Sequence, residues 1–226
     1  MIPLYIIKIV APLITGVIAL IAGIVELRLN PKNWLNRWFF SFFFSASLAH
    51  LVYSVYHLGI FNPMMISVAA VITQIFFNLI PISLVMTVFV LEKFPKVAMS
   101  AKYLGTLLVI FIVMCLGYFF FPPKTNLVDY GNNIINTETE LSWFIIVNIL
   151  RLALYGYALF KYAMIIKKTE DEAKQRIRWF FIGILISLIG IIFNVLGGIL
   201  NIWLIEITTL LLVNIGAIVI VKGFFI

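Results

Sequence analysis

Long apolar stretches alternate with short polar breaks along the whole chain, and each stretch approaches or exceeds the ~20 residues that an α-helix needs to cross a bilayer. The pattern predicts seven spans, at residues 3–27, 34–61, 64–91, 102–121, 141–166, 177–200 and 202–225. Pro12 and Pro81 fall inside the first and third, where a lipid-embedded helix tolerates proline if its neighbours satisfy the freed backbone. The breaks are a polar turn at 28–33, Asn62-Pro63, a charged turn at 92–96, Pro122-Pro123, a charged linker at 167–176 and a turn near Asn201. Residues 124–140 form the only long polar loop, with Gly131, four asparagines and three acids.

Basic residues sort these breaks into two classes. Arg28, Lys32 and Arg37 follow the first span, and Lys93, Lys96 and Lys102 follow the third. Lys161, Lys167, Lys168, Lys174, Arg176 and Arg178 surround the break after the fifth, and Lys222 lies near the C-terminus. These are thirteen of the sixteen Lys and Arg residues; only Lys8, Lys124 and Arg151 fall elsewhere. Lys and Arg gather on the cytoplasmic side. The expected topology therefore has the N-terminus outside and the C-terminus in the cytoplasm, which requires an odd number of spans. Trp34, Trp38, Trp143, Trp179 and Trp203 all fall near span ends, as an interfacial aromatic belt demands.

Composition supports the same class. The 226 residues are 64% hydrophobic and 11% charged, against roughly 25% charged in a soluble domain. Seven spans and their connections use nearly the whole chain, so one transmembrane domain over residues 1–226 is expected, in a multi-pass protein of the cell membrane. The net charge of +7 sits in short loops and does not point to nucleic acid. The single cysteine, Cys115, excludes an intrachain disulfide. Lys8 interrupts the first apolar stretch and no small-residue cleavage site follows it, so that helix is expected to be retained.

Ionisable and amide side chains inside spans are costly and mark candidate sites. Ser47, His50, Ser54 and His57 share one helical face, as do Ser67, Gln74 and Asn78 on the third span and Asn148, Arg151 and Tyr155 on the fifth. Arg151 lies too deep to snorkel easily and needs a partner or water. Glu206 is the expected partner, with Lys8 competing for it. Two readings stay open: an outward-facing polar cavity for a ligand or ion, or interhelical hydrogen bonding with Arg151 and Glu206 as a clamp. The two histidines do not make a metal site, since zinc takes three or four ligands; no metal or cofactor is expected. Gly183, Ser187, Gly190, Asn194 and Gly197 share a face of the sixth span and read as a packing seam rather than a flexible gate. Gly197-Gly198 is also expected to help end that helix. The linker at 167–176 is a solvated connection or a docking surface for a cytoplasmic partner.

The motifs of metalloproteases, α/β-hydrolases and phosphate loops are absent, so no enzyme is expected. The last span has Thr208, Thr209, Leu212 and Asn214 where a retinal-binding lysine would stand. A transporter of two three-helix repeats should show matching interruptions in both halves, yet residues 124–226 contain no proline.

Three segments carry a resemblance. Asn33-Trp34-Leu35-Asn36-Arg37-Trp38-Phe39 opens the second span, and Phe89-Val90-Leu91-Glu92-Lys93-Phe94-Pro95 ends the third. Glu172-Ala173-Lys174-Gln175-Arg176-Ile177-Arg178-Trp179-Phe180-Phe181-Ile182-Gly183 leads into the sixth. In these and in its layout the chain resembles the seven-transmembrane N-terminal sensor module of archaeal and bacterial histidine kinases and related signalling proteins. The resemblance implies a module that senses a stimulus and passes it to a cytoplasmic domain. The chain stops at Lys222-Gly223-Phe224-Phe225-Ile226, so a separate output partner is expected. A small-solute or ion transporter and a structural subunit of a membrane complex remain the alternatives.

Overall fold

The computed structural model of the protein describes residues 4–200 and 202–224. Pro3, Asn201 and Phe225, which bounded expected spans, lie outside the described residues, as do the side chains of Asp171, Trp203 and Glu206. Three long helices open the chain: α1 (Leu4–Leu29), α2 (Trp34–Tyr56) and α3 (Pro63–Glu92). The short α4 (Pro95–Ala98) and a π-helical turn (Ala101–Gly105) lead into α5 (Thr106–Phe120). The polar loop holds β1 (Lys124–Thr125), α6 (Leu127–Gly131) and β2 (Thr137–Glu138). Three long helices follow: α7 (Leu141–Lys168), α8 (Asp171–Leu200) and α9 (Trp203–Phe224).

Local chemistry sets the boundaries. Asn33 and Asn62 turn their side-chain oxygens onto the first free N–H groups of α2 and α3, and Pro63 occupies the first turn of α3, where no donor is lost. The second helix is shorter than expected: it ends at Tyr56, and the chain turns through Gly59, whose φ of 74° suits a residue without a Cβ. The charged linker also shrinks. The basic and acidic residues from 171 onward form the first turns of α8, leaving only Thr169 and Glu170 between two helices. Gly197 and Gly198 do not end that helix, which continues to Leu200.

Six helices are long and apolar enough to cross a membrane, counting α5 together with the π-helical turn before it. In α9 the apolar segment Ile207–Gly223 is shorter. The architecture is that of an all-α, multi-pass membrane protein. Its outer surface carries Val109, Ile149 and Phe160 at 61%, 58% and 64% exposure, side chains that water would disfavour and lipid accepts.

Neighbours in the chain are neighbours in space. Contacts run α1–α2–α3–α7–α8–α9 and back to α1, closing a ring, with α5 packed on α3. Thr15 on α1 donates to Asn214 Oδ1 on α9 at 2.6 Å where the ring closes. Small residues join α8 to α9: a Cβ on Gly183 would meet the Gly216 carbonyl at 2.7 Å, and one on Gly216 would meet the Gly183 carbonyl at 2.8 Å. Phe39 and Phe42 pack edge-on against Phe180, which also contacts Tyr162, and Thr87 and Tyr162 share a hydrogen bond between α3 and α7.

Because the helices alternate in direction, the C-terminal ends of α1, α3, α7 and α9 gather at one end. Glu92 pairs there with Lys161, Lys222 lies 4.1 Å from the Trp179 ring centroid, and Trp38 reaches Met99. The thirteen basic residues assemble at this end, all exposed except the half-buried Lys161. The opposite end is capped by the folded 124–140 loop.

Candidate functional site

Arg151 is the deepest charge in the bundle. It stands ten residues inside α7, about 15 Å from that helix's start at a rise of 1.5 Å per residue, and is only 8% exposed. Its Nε and Nη2 donate to Asn78 Oδ1 at 2.8 and 2.6 Å. Nη2 also reaches Gln74 Oε1 at 2.8 Å and the Tyr118 hydroxyl at 3.2 Å, while Nη1 reaches Asn148 Oδ1 at 3.4 Å. The amides are themselves oriented. Asn78 donates to the Met114 carbonyl, Asn148 to the Phe144 carbonyl, and Tyr118 to Gln74 Oε1. Three helices, α3, α5 and α7, are thereby tied at one depth.

Every one of these acceptors is neutral. Among the described residues no carboxylate pairs with Arg151. The guanidinium charge is spread over oriented amide and hydroxyl dipoles instead of being cancelled by an anion. The expected partner Glu206 has its side chain outside the described residues; it belongs to α9, which packs against α8 and α1. The neighbouring ring of Phe77 lies 6.0 Å from the guanidinium carbon and takes the edge of His50 on its other contact.

The remaining candidates do not form one cavity with this cage. His50 and His57 each bond by Nδ1 to the carbonyl four residues earlier, Ala46 and Tyr53, and His57, just past the end of α2, also reaches the Ile135 backbone in the cap. Tyr155 is buried one turn beyond Arg151, in the main core with Leu159 and Tyr162. Asn194 is exposed on α8, a helix that contributes no side chain to the cage. Lys8 works at the capped end, where Nζ donates to Asn136 Oδ1 at 2.7 Å and Asn136 in turn donates to Asp129. Of the polar candidates inside the spans, the structure brings together Gln74, Asn78, Asn148 and Arg151.

Tyr118 completes the cage without having been singled out. It sits beside Phe119 and Phe120 at the end of α5, which are 71% and 77% exposed, whereas Tyr118 is buried. Its neighbour Gly117 is the available signal: a Cβ there would fall within 1.9 Å of the Trp143 ring, which reaches across from α7 to α5 at this level. The cap also holds unforeseen order. Asn126 accepts from the N–H groups of Val128 and Asp129, β1 pairs with β2, and Thr125 binds Ser67 and the Pro63 carbonyl on α3.

Among the described residues no group of three or more His, Cys, Asp or Glu is placed to hold a metal ion. Chemically, the Arg151 cage is a hydrogen-bond knot: its side-chain oxygens accept from the guanidinium, and the amides of Asn78 and Asn148 donate to backbone carbonyls. Comparison with known proteins gives no family model that matches this chain and no curated protein that matches it.

Proposed function

We propose that the protein is a seven-span sensory or receptor-like module of the cell membrane, without enzymatic activity, that signals through a separate cytoplasmic partner. α9, 22 residues long, supplies the seventh span; at 1.5 Å per residue it reaches about 33 Å, the thickness of a hydrocarbon core. The basic end faces the cytoplasm and the capped end faces outward, by the rule that Lys and Arg stay inside. The observation that carries the reading is this division of the molecule. One end is a folded polar cap, and the other is an exposed basic surface built from three connections and the final helix turn. The self-contained Arg151 knot supports a structural clamp inside the module, not its ligand site.

The test is a charge exchange on the basic end. Lys167, Lys168 and Lys174 replaced together by Gln, with the protein expressed in its native membrane and crosslinked before solubilisation, should release a cytoplasmic partner that the unaltered protein retains. Saturable, gradient-driven solute uptake into vesicles holding the purified protein would overturn the sensory reading in favour of transport.

A further inference from the structure

The geometry points to a binding site for an anionic phospholipid in the cleft between the basic ends of α3 and α7. This inference rests on the membrane-spanning architecture and not on the sensory role. The cleft is an open groove with room for about 520 Å³ between the two helix ends. Its mouth carries Lys93, Lys161 and Lys168. The only acid lining it, Glu92, is already committed: both its oxygens accept from Lys161 Nζ, at 2.9 and 3.0 Å. Lys93 and Lys168 are exposed and make no ion pair among the described residues. Two uncancelled cations thus flank one cleft beside a neutralised pair.

The apolar side of the same cleft decides what kind of anion fits. Leu91 and Met164 line it and are each 37% exposed on the outside of the bundle, one and four residues from Glu92 and Lys168 respectively. A free phosphate uses the lysines and gains nothing from that apolar flank. A phospholipid uses both, with the phosphate between Lys93 and Lys168 and an acyl chain along Leu91 and Met164. Basic pockets between helices at the cytoplasmic face are suited to such headgroups. Glu92 neutralises Lys161 by pairing with it and keeps that charge from adding to the site.

The experiment is native mass spectrometry of the purified protein in detergent, titrated with phosphatidylglycerol, phosphatidylcholine or inorganic phosphate. Phosphatidylglycerol should bind in preference to phosphatidylcholine. The K93Q/K168Q double variant should lose roughly 30-fold in phosphatidylglycerol affinity, from about fivefold per lysine near an anionic headgroup. The control K32Q/K96Q removes the same charge from the same end outside the cleft and should change affinity less than about threefold. Matching thermal midpoints for both variants establish that each is folded, since all four lysines are exposed. Equal losses in the two variants, or equal binding of the two lipids, would overturn the site. Displacement of phosphatidylglycerol by an equal concentration of inorganic phosphate would overturn the lipid assignment.

Discussion

Asn78 is the point where the Arg151 knot can be opened most directly. Its Oδ1 takes two of the guanidinium's bonds, from Nε and Nη2. Asn78→Leu keeps the branched shape with a bulkier side chain and removes both at a site with no exposure. Breaking the pairing of a buried charge costs about 3 kcal/mol or more. Membrane reference states find other partners and lower such costs, so about 2 to 3 kcal/mol is expected. Arg151→Met should be milder. It leaves neutral acceptors, but it also removes the ~2.5 kcal/mol cost of holding a cation at this depth, and Asn78 and Asn148 keep their amide bonds to the Met114 and Phe144 carbonyls. The double variant should then resemble Arg151→Met alone, because there is no longer a charge to strand. In thermal unfolding in detergent, Asn78→Leu should lower the midpoint by about 4–12 °C, and adding Arg151→Met should recover most of it. Additivity of the two substitutions to within about 0.5 kcal/mol would refute the cage. So would a larger loss for Arg151→Met than for Asn78→Leu.

Three further outcomes follow from the fold. Cysteines placed at Asn132 and Thr169, in a Cys115→Ser background, should label with an impermeant reagent from opposite sides of the membrane; labelling from the same side would remove a span from the proposed topology. Gly183→Ala should destabilise by about 1–3 kcal/mol through overpacking against Ile220 and the Gly216 carbonyl, read as a lowered thermal midpoint, while Gly131→Ala, which meets nothing within 4 Å, should leave the midpoint within about 1 °C. Asn136→Ala removes the Lys8–Asn136 and Asn136–Asp129 hydrogen bonds and should speed amide hydrogen exchange across residues 124–140 by about tenfold without affecting α7; unchanged exchange would show that the other cap contacts, among them the β1–β2 pairing, Thr125 and the Tyr130–Phe61 bond, hold it without them.

The long helices were legible because a bilayer selects for length and apolarity, both of which are one-dimensional properties. The misplaced boundaries share a cause. Leu58, Ile60 and Phe61 extend the apolar run beyond α2, yet the chain has already turned at Gly59, and Ile60 ends 73% exposed. Conversely, Glu172, Lys174, Gln175 and Arg176 interrupt hydropathy while remaining good helix formers, so α8 starts well before its apolar part. Hydropathy reports where lipid begins, whereas propensity and capping report where the helix begins.

The polar residues show the same limit in sharper form. Spacing on one helix put Gln74 beside Asn78 and Asn148 beside Arg151, and the structure joins those two pairs across α3 and α7. Spacing cannot choose which helix faces which, and neither Asn194, exposed on α8, nor Lys8, which serves the cap, joins them. Counting charges along the chain points to a carboxylate beside Arg151. A buried ion pair, however, must desolvate two ions, and that penalty can exceed the attraction it gains. Asn78, Gln74, Asn148 and Tyr118 need no second ion. Their dipoles are already fixed by Met114, Phe144 and one another, so they stabilise the guanidinium with little reorganisation. In a medium without water, an amide cage is therefore the lower-cost way to keep one arginine at the centre of three helices, and it is one that a tally of opposite charges along the sequence cannot reveal.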